Sequence, residues 1–249
     1  SLNSVTIPAS VIDIGVSLFE NCTALTNVTI NSPVTEIPNG SFKGCTSLTT
    51  YTIPSTVTAI GTSSFESCTA LSDVTFPPLF TTIYYFAFSN CTALVNIDLP
   101  PSLTTIERRA FQGCTALRDI TLPGSLSSVG DNAFTDCTSL TNVTITAGAT
   151  SFSGWRIFEG CPNLTTVSIP GSMAKVAHSM FNECHALTTV NFGSGVTGIG
   201  DMAFGNCTAL ESITLPDTLN SIGNSSFKGC SNLTSIHIPG NNTTVGDSA

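Results

Sequence analysis

The most reactive side chains in this chain are its ten cysteines, which stand at positions 22, 45, 68, 91, 114, 137, 161, 184, 207 and 230. Thiols in that number could bridge or hold zinc. Their spacing is 23 residues at every step but one, which is 24. One Cys per turn of an in-register stack puts equivalent Cβ atoms about one strand spacing, 4.8 Å, apart and pointing the same way. A disulfide needs Cβ atoms about 3.5–4.5 Å apart and a particular torsion, so free thiols buried as small hydrophobes are expected throughout. No CxxC or CxxH pair occurs, and one column of thiols cannot surround an ion tetrahedrally, so no zinc site is expected.

The other chemistry-bearing residues do not converge. His178, His185 and His237 fall at different phases of the 23-residue period, so no Ser/His/Asp set can be assembled around them. Asp73, Asp98 and Asp119 occupy outward strand positions in three consecutive periods; the alternatives are a weak cation site and a solvated polar face, and the solvated face is the expected one. Eleven N-x-S/T sequons occur, three as NCT at Asn21, Asn90 and Asn206. A Thr/Ser-rich chain produces these by chance, and the residue before Cys reads as a turn position that tolerates left-handed backbone. No cofactor, no metal and no enzymatic activity are expected.

The elements that hold these residues follow from the repeat. Three residues before every Cys stands a phenylalanine, from Phe19 to Phe227. A fixed period in the twenties marks a solenoid, whose turns bury their apolar faces on their neighbours. In the unit CTALVNIDLPPSLTTIERRAFQGC, from Cys91 to Cys114, Leu94, Ile97 and Leu99 predict a short strand in which Asn96 and Asp98 face outward. Pro100 and Pro101 end it, Leu103 and Ile106 begin a second inward segment, and Ala110, Phe111 and Cys114 have the spacing of one short helical turn. Gly15, Gly61, Gly130, Gly200, Gly223 and Gly246 end the second segment in many turns and suggest corners with positive φ. Eleven strand segments from Leu2 to Leu233, about 4.8 Å apart, predict a rod on the order of 50 Å long.

Segments such as LTSIHIPG, LESITLPDTLNSIGNSSFKGC and LRDITLPGSLSSVGDNAFTDC resemble the unit of the BspA-like, treponemal-type leucine-rich repeats, and the resemblance covers essentially the whole chain. It implies a mainly β, right-handed leucine-rich repeat solenoid over residues 1–249, of about eleven rungs, with parallel strands and short helical turns. It also implies a non-enzymatic cell-surface or secreted protein that adheres to a protein or glycan ligand, for example on a host surface or matrix. The departures from the pattern are local: the 24-residue interval with Gly154, Trp155 and Arg156, the Tyr84-Tyr85-Phe86 run, and Thr146 and Gly193 where most rungs have Pro.

Composition narrows the partner. The chain is 41% apolar and 9% charged, unlike a disordered segment. Its net charge of −9, from 7 Lys+Arg against 16 Asp+Glu, disfavours nucleic acid and anionic membranes, and its apolar runs are too short for direct membrane insertion. The outward strand positions form a polar row from Thr6 to His237, mostly Thr, which is what an exposed strand favours; Asp, Asn and His interrupt it and argue against ice binding.

The corner before the Phe is more distinctive. Counting back from each Cys, Tyr85, Arg108, Asp131 and Trp155 share one column, and Phe86, Arg109, Asn132 and Arg156 the next. With Tyr84, four adjacent rungs thus collect two Tyr, one Phe, the only Trp and three of the four Arg. Tyr, Trp and Arg dominate binding hot spots, so Tyr84, Tyr85, Phe86, Arg108, Arg109, Trp155 and Arg156 are the candidate binding residues. The competing reading tucks the aromatics against the corner and pairs Arg108 with Asp131. The chain also opens directly on a strand segment and stops at Ala249 in repeat phase. That predicts a segment of a longer molecule or end-to-end self-association, and hence a structural spacer or filament subunit as the alternative to a binding module.

Overall fold

The computed structural model describes residues 1–150, 152–239 and 243–249, and it is a stack of parallel rungs with one continuous apolar core running from Ile7 to Phe227. One side of the stack carries the longer strands Ser4–Ile7, Asn27–Ile30, Thr50–Thr52, Asp73–Thr75, Asp119–Leu122, Asn142–Ile145, Thr166–Ile169, Thr189–Phe192, Ser212–Thr214 and Ser235–His237. All pairings are parallel, and the register matches repeat phase, as in Val143 opposite Ile120 and Val167. A second side carries two-residue strands such as Glu36–Ile37, Ala59–Ile60 and Thr82–Ile83. Alternation explains both: in Asp119–Leu122 the Ile and Leu are buried and the Asp and Thr exposed.

The third side is where expectation and structure part. The segment from Ala110 to Cys114 and its equivalents were expected as short helical turns, yet no helix occurs among the described residues. Each instead holds i→i−3 turn bonds, such as Cys45 N–H to the Phe42 carbonyl at 3.0 Å. Alternate amides leave the rung altogether: those of Ser17, Phe19 and Asn21 donate to the carbonyls of Asn39, Ser41 and Lys43 in the next rung. A helix would need those amides for itself. Two columns bracket the segment in left-handed backbone, running from Ser17 to Ser248 and from Asn21 to Gly229. The residue before Cys does have φ > 0, at Asn21, Asn90 and Asn206 as elsewhere.

Two further expectations need correction. The left-handed glycines are Gly40, Gly44, Gly113, Gly148, Gly160 and Gly229, not the set ending the second segment. Gly61, Gly130, Gly200, Gly223 and Gly246 answer instead to close approach between rungs: a Cβ on Gly130 would lie 2.4 Å from the Arg108 nitrogen. Gly15, with no rung before it, has nothing within 4 Å. The segment around Asn96 to Leu99 has an inward Ile97 but forms no strand, so the sheet is interrupted between Asp73–Thr75 and Asp119–Leu122.

The ladders inside the stack explain the composition. All ten Phe rings of the repeat stack, neighbours lying 5.0–5.7 Å apart between centroids. Each Cys from Cys45 onward donates its S–H to the carbonyl of the previous rung's Phe, as from Cys68 to Phe42 at 3.0 Å. In seven of these nine cases that carbonyl also accepts its own rung's Cys amide, and a thiol is small enough to reach its second lone pair. The cysteines are free, eight of them buried and the end pair Cys22 and Cys230 half-buried. Threonine hydroxyls stitch rungs as well: those of Thr58, Thr81 and Thr104 bond the carbonyls of Thr35, Thr58 and Thr81. Asn241 and Asn242, which begin two of the eleven sequons, lie outside the described residues.

Candidate functional site

The corner that follows the second strand is built by a side-chain ladder. In the column six residues before Cys, Asn39 Oδ1 accepts the Thr62 N–H at 2.7 Å, Asp201 Oδ1 that of Asn224 at 2.8 Å, and Asn224 Oδ1 that of Asp247 at 2.8 Å. Asp131 does the same for Trp155, and His178 Nδ1 for Asp201 at 3.1 Å. The residue type this corner asks for is thus one with a short acceptor, which Asn and Asp supply. The next column is left-handed in every rung, which asks for Gly, Asn or a small polar residue.

The candidate residues break both requirements. The side chains of Tyr85, Arg108 and Trp155 in this column do not accept the next rung's amide, nor do those of Val16 and Thr62, and the amides of Arg108, Asp131 and His178 have no protein partner among the described residues. Phe86, Arg109 and Arg156 sit at φ of 57°, 58° and 58°, where a bulky L side chain costs roughly 1–2 kcal/mol.

The side chains of Tyr85, Arg108, Trp155 and Arg156 do not tuck away. Trp155 is 60% and Tyr85 44% exposed; Arg108 and Arg156 are exposed, and Tyr84, Phe86 and Arg109 half-buried. The Arg109 guanidinium carbon lies 5.7 Å from the Phe86 ring centroid, so that ring holds a cation at the surface. Arg108 does not pair with Asp131, whose Oδ1 is taken by the Trp155 amide; among the described residues neither Arg108 nor Arg109 has a carboxylate within 4.0 Å. Arg109 Nε is buried without an acceptor. Arg156 is 3.6 Å from Glu159.

Register therefore brings Tyr84, Tyr85, Phe86, Arg108 and Arg109 together on two adjacent rungs. It sets Trp155 and Arg156 two rungs further on, with Asp131 between. One neighbour was not among the candidates: His178, whose ring centroid is 5.5 Å from that of Trp155. Its place in the same column as Trp155 is legible in the sequence, whereas the ring-to-ring approach is set by the fold. The result is a narrow ridge along the axis, rings at its ends and guanidinium groups between.

The sheet interruption makes a second feature, a cleft of about 430 Å³ lined by Ile97, Asp98, Leu99, Asp119, Thr121 and Pro123. Asp119 Oδ1 there accepts from Asn142 Nδ2 at 2.6 Å. The core thiols are held protonated: burial pushes Cys45 up to about 11 and Cys114 and Cys161 up to about 12.

Comparison with known proteins agrees with this architecture. The profile of the BspA type leucine rich repeat region matches in six copies, over residues 1–94, 69–156 and 154–249. No curated protein matches the chain. Among solved structures, a leucine-rich repeat protein from Bacteroides ovatus is 29% identical over 98% of this chain and 74% of its own, with a TM-score of 0.69. The T. pallidum leucine rich repeat protein is 26% identical over 75% of this chain and 78% of its own, at 0.58. The pneumococcal vaccine antigen PcpA shares the fold at 20% identity, over 98% of this chain and 65% of its own, at 0.55.

Proposed function

Because this chain belongs to the BspA-type leucine-rich repeat family, we propose that it is a non-enzymatic surface or secreted recognition module that grips its partner with the corner ridge from Tyr84 to Arg156. The observation that carries this reading is that the ridge residues occupy two columns whose structural requirements they fail. Asn or Asp would complete the acceptor ladder and Gly or Asn would relax the left-handed turn. Tyr, Phe, Trp and Arg do neither, and rule-breaking without a gain in stability is concentrated at functional sites. A catalytic role finds no support in thiols that stay protonated in the core or in three histidines on separate columns.

The test uses substitutions that repair the corner. Beads carrying the protein are scored for attachment to epithelial cells and to extracellular matrix, with Arg108→Asn/Trp155→Asn as the variant. Loss of about 2 kcal/mol or more of binding, about 30-fold, is expected, with the fold intact. Undiminished attachment by the folded double variant would exclude the ridge as the main contact.

A further inference from the structure

Resting on that reading, we infer that the ridge takes a linear acidic glycan, one whose pyranose rings carry carboxylate or sulfate groups. The ridge is only two columns wide but spans four rungs from Tyr85 to Trp155, three steps or about 15 Å at ~4.8 Å per step. A stable protein–protein interface needs about 800 Å² per partner around an apolar centre. Two columns divided by Asp131 do not present that. A single extended polymer does fit such a strip, and the rung repeat is close to the length of one pyranose unit.

Charge chooses among polymers. Three of the chain's four Arg lie on the ridge although the whole carries −9. Of the carboxylates along the ridge, Asp131 accepts the Trp155 amide, and Glu159 pairs with Arg156 and accepts from Asn182 Nδ2 at 2.8 Å; Glu107, beside Arg108 in the chain, is not within 4.0 Å of either Arg108 or Arg109. Arg108 and Arg109 remain without an anionic partner among the described residues, in a protein with acids to spare. A guanidinium is the group that binds carboxylate or sulfate oxygens in bidentate fashion. The exposed faces of Tyr85 and Trp155 supply the rest, since the axial C–H face of a sugar ring presents weakly positive hydrogens to the negative face of an aromatic ring. Rings at both ends and free cations in between match alternating sugar faces and acid groups.

The probes are immobilised hyaluronan and heparin, with dextran as the neutral polysaccharide and polyglutamate as the acid without sugar rings. The full chain should be retained on hyaluronan or heparin and on neither control. Arg108→Asn and Trp155→Asn should each weaken retention at least about tenfold, whereas Arg118→Asn, which removes one cation from the strand face, should leave it within about twofold. Retention on neither acidic glycan, equal retention on dextran or polyglutamate, or an equal loss in Arg118→Asn would overturn the assignment. The two readings separate on cells: attachment that is lost in the ridge variants yet survives enzymatic removal of acidic sugars from the target would overturn the glycan and leave the ridge standing.

Discussion

A thiol in this protein serves as a hydrogen-bond donor to the neighbouring rung's Phe carbonyl, and its burial has a consequence for pH. Desolvation raises Cys45 from 9.0 to about 11 and Cys114 and Cys161 to about 12. Between those values the unfolded chain releases protons that the folded chain keeps, so stability is fully present below about pH 9 and falls as pH rises through 11–12. The melting temperature should be level from pH 7 to 9 and drop steeply beyond; a level value at pH 11 would contradict this. Thiol reagent at pH 8 should react quickly with at most the half-buried Cys22 and Cys230 of the native protein and count ten after unfolding without reductant; eight or fewer would mean a bridge. Phe134, buried between Phe111 and Phe158 in the ring stack, should cost about 3–5 kcal/mol on Phe134→Ala, read by denaturant unfolding.

At the scale of the element, substitutions at the corner turn should separate stability from the proposed binding. Tyr85→Asn offers the idle Arg108 amide an acceptor like the one Asn39 offers Thr62, and a hydrogen bond of this kind is worth about 1 kcal/mol. Arg156→Gly removes a left-handed bulky residue and only an exposed ion pair, whose loss costs little. Both should unfold at equal or higher denaturant than the parent, Tyr85→Asn by up to about 1 kcal/mol, while ligand retention falls. A marked destabilisation of Tyr85→Asn would show that the ring is packing rather than presenting itself. Opposed effects of this kind are the usual mark of a surface kept for binding at the expense of stability.

In the whole molecule, each rung touches only its neighbours, so damage should spread along the axis and fade. Gly130→Ala would place a Cβ 2.4 Å from the Arg108 nitrogen, backbone that cannot swing aside. Hydrogen exchange should accelerate over the adjoining rungs, the ridge included, and remain native near Thr6 and Ile213; uniform acceleration would indicate a single all-or-none unit instead. The Phe-x-x-Cys period by itself determined the stack, its parallel register and the inward residues, because periodic burial admits one repeating solution. It also placed Tyr85, Arg108 and Trp155 in one column, since register follows from phase. Tertiary structure alone decided how the third side closes, because i→i−3 spacing suits a helical turn as well as the left-handed segment seen, and only the carbonyls of the next rung settle where the amides go. For the same reason the cost carried by Phe86, Arg109 and Arg156 could not be read from the chain: it lies in backbone angles that the neighbouring rungs impose.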